Sequence, residues 1–105
     1  MKLPRQVYAL VHEPTGKMYI GSSANAPKRL RVHLSQLKNG SHPARELQAD
    51  YDLHGGPLRL FLLDEICSFA DRGKEYQWMK QLKTFDPRFG YNCRDPKWPR
   101  TKQGT

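Results

Sequence analysis

The chain has 105 residues and a mass of 12.2 kDa, room for one domain, since domains typically run about 100–150 residues. Eighteen Lys and Arg against ten Asp and Glu give a net charge of +8 and a pI near 9.8, a surplus that favours polyanions and nucleic acid above all. The mean hydropathy is -0.82, and no apolar run approaches the ~20 residues of a bilayer span, so no membrane association is expected. A chain this short buries roughly two-thirds of its unfolded surface, so much of it must serve as surface, any site included. The N-terminal MKLPRQVYALV shows no small-residue cleavage site, so no signal peptide is expected and a cytoplasmic location follows by default. Cys67 and Cys93 fit neither a CxxC nor a Cys/His zinc spacing, and His12, His33, His42 and His54 form no HxxxH or HExxH pair. The cysteines read as small hydrophobes in a reducing compartment.

Val7 to His12 is β-prone and reads as a first strand. Glu13-Pro14-Thr15-Gly16 carries the turn chemistry that joins it to a second strand, Lys17 to Gly21, as an antiparallel hairpin. At Gly21 the strand breaks into small polar residues. Asn25 is a candidate N-cap with Pro27 at an early helical position, and Leu30, Leu34 and Leu37 then form one helical stripe to Lys38. Asn39-Gly40 ends that helix. A second helix opens at Pro43, with Ala44, Leu47 and Tyr51 on one face, and Gly55-Gly56-Pro57 stops it. Leu58 to Ile66 is a short apolar run bounded by turn signals, hence a buried central strand. A third helix is predicted from about Asp71 to Leu82. The order β-β-α-α-β-α lacks βαβ alternation and predicts an α+β domain over 1–93, a small, mainly antiparallel three-stranded sheet flanked by helices. The tail over 94–105 is basic and Pro-containing, and its charge suits contact with phosphate.

The charge is unevenly placed. From Pro14 to Arg45 there is no acidic residue, while Lys17, Lys28, Arg29, Arg31, Lys38 and Arg45 all fall there, with His33 and His42. That pattern suits a phosphate-facing surface, with a solvated basic face as the alternative. Arg29 and His33, at i and i+4, share a helix face, and Arg29 adjoins the leucine stripe. Its fork suits a phosphate there, or else its stem covers the leucines. Glu75 lies on the same face as Trp78, Met79 and Leu82, where a carboxylate is costly without a partner. It is either a carboxylate at the margin of the stripe, paired or half-exposed, or a metal ligand or acid/base group at the rim of the core. Tyr8 and Tyr19 stand in facing strands and read first as a cross-strand packing pair.

Taken together, these residues resemble the GIY-YIG nuclease family from about Val7 to Asn92. KMYIGSS holds the second signature as Tyr19-Ile20-Gly21, and Gln6-Val7-Tyr8 is similar to the first, with Gln6 where the family has glycine. KRLRVHL looks like the family's arginine-bearing helix, with Arg29 at the arginine. KNGSHPARELQADYDLHG is similar to a stretch of phage and intron-encoded members, in which histidines matching His33 and His42 are implicated in activity. LFLLDEI is like the third strand, EYQWM resembles the helix that presents a metal-binding glutamate at Glu75, and GYN places the closing asparagine at Asn92.

The resemblance implies a metal-dependent DNA endonuclease of phage or mobile-element type that leaves 5′-phosphate and 3′-hydroxyl ends. Mg²⁺, with Mn²⁺ able to substitute, is expected on Glu75, and Arg29 on a nonbridging phosphate oxygen. One of Tyr8 and Tyr19 acts as base and the other orients the water, and the sequence leaves open which. A free phenol, with a pKa of about 10, needs nearby cations to serve, and Lys17, two residues from Tyr19 on the same sheet face, is expected to supply part of that field. His33 relays the proton or binds phosphate. Lys17, Gly21, Lys28, Arg31, His42 and Asn92 are the expected DNA or phosphate contacts, with Gly21 keeping the backbone thin and Asn92 anchoring the site by hydrogen bonds. Many members append a DNA-binding domain that supplies specificity, and here the sequence ends soon after Asn92. Double-strand cutting by a single site is expected to need a homodimer on DNA, two sequential visits or a separate specificity partner. The competing reading is a catalytically inactive nucleic-acid-binding module that keeps the fold and the basic face.

Overall fold

The computed structural model describes residues 5–67, 73–86 and 88–92. The expected basic tail over 94–105 and Cys93 lie outside them, while Cys67 is exposed. The element order is β1 (Arg5–His12), β2 (Lys17–Ser23), α1 (Ala26–Asn39), α2 (Arg45–His54), β3 (Leu58–Ile66) and α3 (Lys74–Leu82). The three strands form one antiparallel sheet in the order β2-β1-β3. No helix among the described residues is long and apolar enough to cross a membrane.

β1 is the central strand, and its residues from Val7 to Leu10 are buried on both faces. One face presents Tyr8 and Leu10 to Leu37 of α1 and Leu47 of α2. The other presents Val7 and Ala9, with Ile20 of β2, to Trp78, Met79 and Leu82 of α3. Strand alternation thus sorts the chain into two cores, one on each side of the sheet. The expectation that β3 is the buried central strand is incorrect. β3 lies at the edge, with Phe61 48% and Leu62 56% exposed. An almost uniformly apolar run carries no period from which an inner face can be read. β3 shifts register between the partners of Val7 and Tyr8, which face Asp64 and Leu62 respectively. This bulge turns Asp64 toward α3. There it accepts from the Trp78 indole at 3.1 Å and pairs with Lys74 at 3.1 Å.

The helix termini follow local chemistry. Asn25 accepts from the Lys28 amide at 3.1 Å, a cap generally worth ~1 kcal/mol. The Gln6 side chain accepts from the Ala26 amide at 3.2 Å, so β1 itself helps to start α1. Gly40 closes α1 in the left-handed region, at φ 74°. α2 begins at Arg45, just after the expected Pro43, and buries Leu47 and Gln48.

Candidate active site

β2 does not end at Gly21 but runs to Ser23, and its pairing with β1 sets the site. Tyr8 pairs with Gly21 and Leu10 with Tyr19, so the two tyrosines are diagonal neighbours on one sheet face. The lack of a side chain at Gly21 has a cause within the fold itself. A Cβ there would stand 2.6 Å from the Tyr8 hydroxyl and 2.7 Å from its ring carbon. Gly21 is the floor on which the Tyr8 phenol lies.

α1 and the segment after it supply the imidazoles. The Tyr8 hydroxyl is 2.7 Å from His33 Nε2, and His33 Nδ1 is 2.7 Å from His42 Nε2. Their rings stack with centroids 5.0 Å apart. Tyr19 meets both imidazoles edge-on, at 5.4 and 6.1 Å between centroids. Its hydroxyl has no hydrogen-bond partner among the described residues. Tyr8, His33 and His42 are buried, while Tyr19 and Arg29 are half-buried. Arg29 sits one helical turn from His33, and its guanidinium reaches the Tyr8 phenol.

Glu75 arrives from the opposite layer, on α3. Its Oε1 accepts from the Ser22 hydroxyl at 2.8 Å, so the carboxylate on the packing face finds its partner at the end of β2. Arg5 donates to the Ser22 carbonyl at 3.0 Å and to its hydroxyl at 3.3 Å, which holds the Ser22 partner of this carboxylate in place. Glu75 forms no ion pair among the described residues, and no group of three or more His, Cys, Asp or Glu gathers there to ligate a metal.

The electrostatics correct one expectation. Tyr8 is pushed up to about 12, first by burial and then by the neighbouring Tyr19, against the lowering effect of Arg29. Tyr19 is also raised, by burial and then by the Glu75 carboxylate, again opposed by Arg29. Arg29, rather than Lys17, is the cation that acts on both phenols. Lys17 shares the sheet face of Tyr19, but its ammonium pairs with Asp50 at 3.7 Å and lies over the Tyr91 ring. His33 is driven down to about 4 by burial, His42 and Arg29, and His42 is lowered by burial and Arg29, so both rings are neutral near pH 7.

Asn92 anchors the site through backbone. Its Oδ1 accepts from the Ile20 amide at 2.7 Å and its Nδ2 donates to the Ile20 carbonyl at 3.0 Å. The amide thereby mimics a strand residue on the outer edge of β2, next to Tyr19. Gly90 permits this approach, because a Cβ there would collide with Thr84 and stand 2.8 Å from the Met18 carbonyl. Lys28 and Arg31 are exposed on α1, with no ion pair among the described residues. Sequence reasoning missed Ser22, Gln48, Asp64 and Arg5, whose roles arise from tertiary pairing. Only the unusual run Gly21-Ser22-Ser23 at a strand end carried any signal.

The family of GIY-YIG catalytic domains matches residues 5–92. The chain belongs to that family. It is similar to intron-associated endonuclease 1 of enterobacteria phage T4, at 30% identity over 91 residues. The match covers 85% of this chain and 36% of that protein, so the chain spans about a third of the curated relative. Among solved structures it is similar to the catalytic domain of intron endonuclease I-TevI, at TM-score 0.76 and 28% identity, covering 87% of this chain and 99% of that one. A glutamate-to-alanine mutant of the same domain gives TM-score 0.78 and 26% identity, covering 92% of this chain and 100% of that one. The three-stranded antiparallel sheet with its three helices is thus the GIY-YIG fold, that of a nuclease catalytic domain.

Proposed function

We propose that this GIY-YIG domain is a divalent-metal-dependent DNA endonuclease of phage or mobile-element type, which hydrolyses phosphodiester bonds to 5′-phosphate and 3′-hydroxyl ends. The observation that carries the reading is the convergence of Tyr8, Tyr19, Arg29 and Glu75, from both layers, around β2. Separated by up to 67 positions in sequence, they act on one another electrostatically.

Glu75 fits a hard cation such as Mg²⁺ or Mn²⁺. It offers a half-exposed carboxylate with one oxygen held by Ser22, and the lack of further ligands among the described residues suits an ion that keeps its waters and takes substrate phosphate. Bound there, the ion supplies charge neutralisation at the scissile phosphate and eases departure of the 3′-oxygen. Arg29 holds a nonbridging oxygen and stabilises the charge that grows on it. One tyrosine takes a proton from the attacking water and the other orients that water. Neutralising Glu75 also removes a cause of the raised phenol pKa values, which brings proton acceptance closer to neutral pH. Lys28 and Arg31 face solvent on the helix that carries Arg29, where they suit flanking phosphates. A single site of this kind cuts both strands in two visits, as a homodimer on DNA, or with a partner.

Supercoiled plasmid incubated with protein and Mg²⁺ tests the reading. Nicked or linear product is expected from wild type and none after chelation. Cutting that survives both Arg29→Ala and Glu75→Ala would sink the assignment. Salt-sensitive binding without any cutting would leave a DNA-binding module in its place.

A further inference from the structure

Resting on that nuclease reading, we propose that Gln48 and His42 are positioning residues that act on Tyr8 through His33. They fix both imidazoles in one tautomer, so that the Tyr8 oxygen receives a hydrogen bond and its own proton faces the substrate side. Tyr8 then becomes the proton acceptor and Tyr19 the residue that orients water.

The direction of the chain follows from its ends. A backbone amide can only donate, and the Ala44 N–H lies 3.0 Å from His42 Nδ1. That nitrogen is therefore bare, and a neutral imidazole then carries its proton on Nε2. His42 Nε2–H donates across 2.7 Å to His33 Nδ1, which must be bare in turn. The proton of His33 sits on Nε2 and donates to the Tyr8 oxygen at 2.7 Å. The reverse polarity would set two hydrogens against each other at Ala44. Neutrality of both rings is supported by their lowered pKa values.

Gln48 holds the starting point. Its Nε2 donates to the Leu37 carbonyl and to Asp52 Oδ1, each at 2.9 Å, which settles the orientation of the amide. Its Oε1 is left to accept from the His42 amide at 3.1 Å. Leu37 and His33 are both on α1, so the helix that presents His33 also fixes the group that places His42. The side chain of Gln48 is buried.

The consequence is chemical. When Tyr8 has released its proton to solvent, His33 Nε2–H stabilises the phenolate. The phenolate accepts one proton from water as the new O–P bond forms and the P–O3′ bond breaks, and the departing 3′-oxygen takes a proton from solvent to leave as the 3′-hydroxyl. The proton on Tyr8 returns to solvent, because the imidazole chain ends on an amide that cannot receive it. Tyr19, with no fixed donor among the described residues, keeps its hydroxyl for the water.

Two-bond ¹H–¹⁵N correlation spectra of the free, labelled protein test the chain directly. Both His33 and His42 are expected as Nε2–H tautomers near pH 7. An Nδ1–H or doubly protonated His33 overturns the proposal. Gln48→Met is expected to let the His42 tautomers interconvert and to slow single-turnover cleavage by about tenfold or more, with DNA affinity unchanged. Unchanged tautomers and rate in that variant would remove Gln48 from the mechanism. His42→Gln, which keeps a donor toward His33, is expected to cut faster than His42→Leu, and equal rates would overturn the assignment to His42. The spectra need no DNA. Expected tautomers in a protein that cuts nothing would overturn the nuclease reading alone, and cutting with the opposite tautomers would overturn this proposal alone.

Discussion

One face of the sheet carries two polar clusters, one at each end, and they are built to opposite ends. At the Tyr8 end, hydrogen bonds run from Ala44 through His42 and His33 to a phenol beside Arg29, and the Tyr19 hydroxyl has no fixed partner among the described residues. At the His12 end the bonds close on themselves. His12 Nε2 donates to the Gly55 carbonyl at 2.7 Å, and its Nδ1 is 2.9 Å from Thr15 Oγ1. The Tyr91 hydroxyl is 2.9 Å from the same Thr15 oxygen and donates to Asp50 at 2.8 Å, while Lys17 closes on Asp50. Both clusters contain a buried histidine, a buried tyrosine and a cation. The closed one ties the hairpin turn to α2 and to the segment at Tyr91. The open one keeps bonding capacity in reserve for a substrate, and that reserve marks a reactive site better than burial does.

The largest effects are expected at the open cluster. Arg29→Ala and Glu75→Ala should each lower plasmid cleavage by about a hundredfold to a thousandfold, while urea midpoints move little. If stability fell as far as activity, the contrast between a working end and a structural end would be broken. Gly21→Ala should damage both properties, because its Cβ meets the Tyr8 phenol. Overpacking of this kind generally costs about 1–3 kcal/mol, and the displaced phenol should slow cleavage further than the stability loss explains.

Acid provides the next test. The folded-state pKa of His33, about 4, lies below the ordinary 6.5, so the unfolded chain binds a proton there that the folded chain refuses. Its stabilising contribution is complete above 6.5 and lost progressively as pH falls toward 4. Denaturation across that window should show the loss, and His33→Gln should flatten the profile. The smallest effect is expected at the closed cluster. Tyr91→Phe should cost about 0.5–1.5 kcal/mol by urea denaturation, with cleavage per folded molecule unchanged.

Much of this was legible in sequence wherever the controlling interactions are local. The caps at Asn25 and Gly40, the leucine stripe of α1 and the place of Glu75 on the packing face of α3 all follow from spacing and turn chemistry. The family motifs named Tyr8, Tyr19 and Arg29. What escaped depends on pairing between distant segments. β3 reads as central in sequence because its apolar run hides which side is covered. The contact of Gly21 with the Tyr8 ring is hidden in sequence because that ring comes from another strand. Lys17 reads as a partner of Tyr19 in sequence because Asp50, with which it pairs, lies 33 positions on. Gln48 and Asp64 look like ordinary polar residues until the helices they orient are in place.

The clasp between Asn92 and Ile20 joins residues 72 positions apart and has a consequence for synthesis. The strand that bears Tyr19 leaves the ribosome early, yet its outer edge stays unfastened until almost the whole domain has followed. Glu75 also comes late. A nascent chain that already displays both tyrosines and Arg29 therefore cannot assemble the complete site, and the competence of the domain is timed by its last turn.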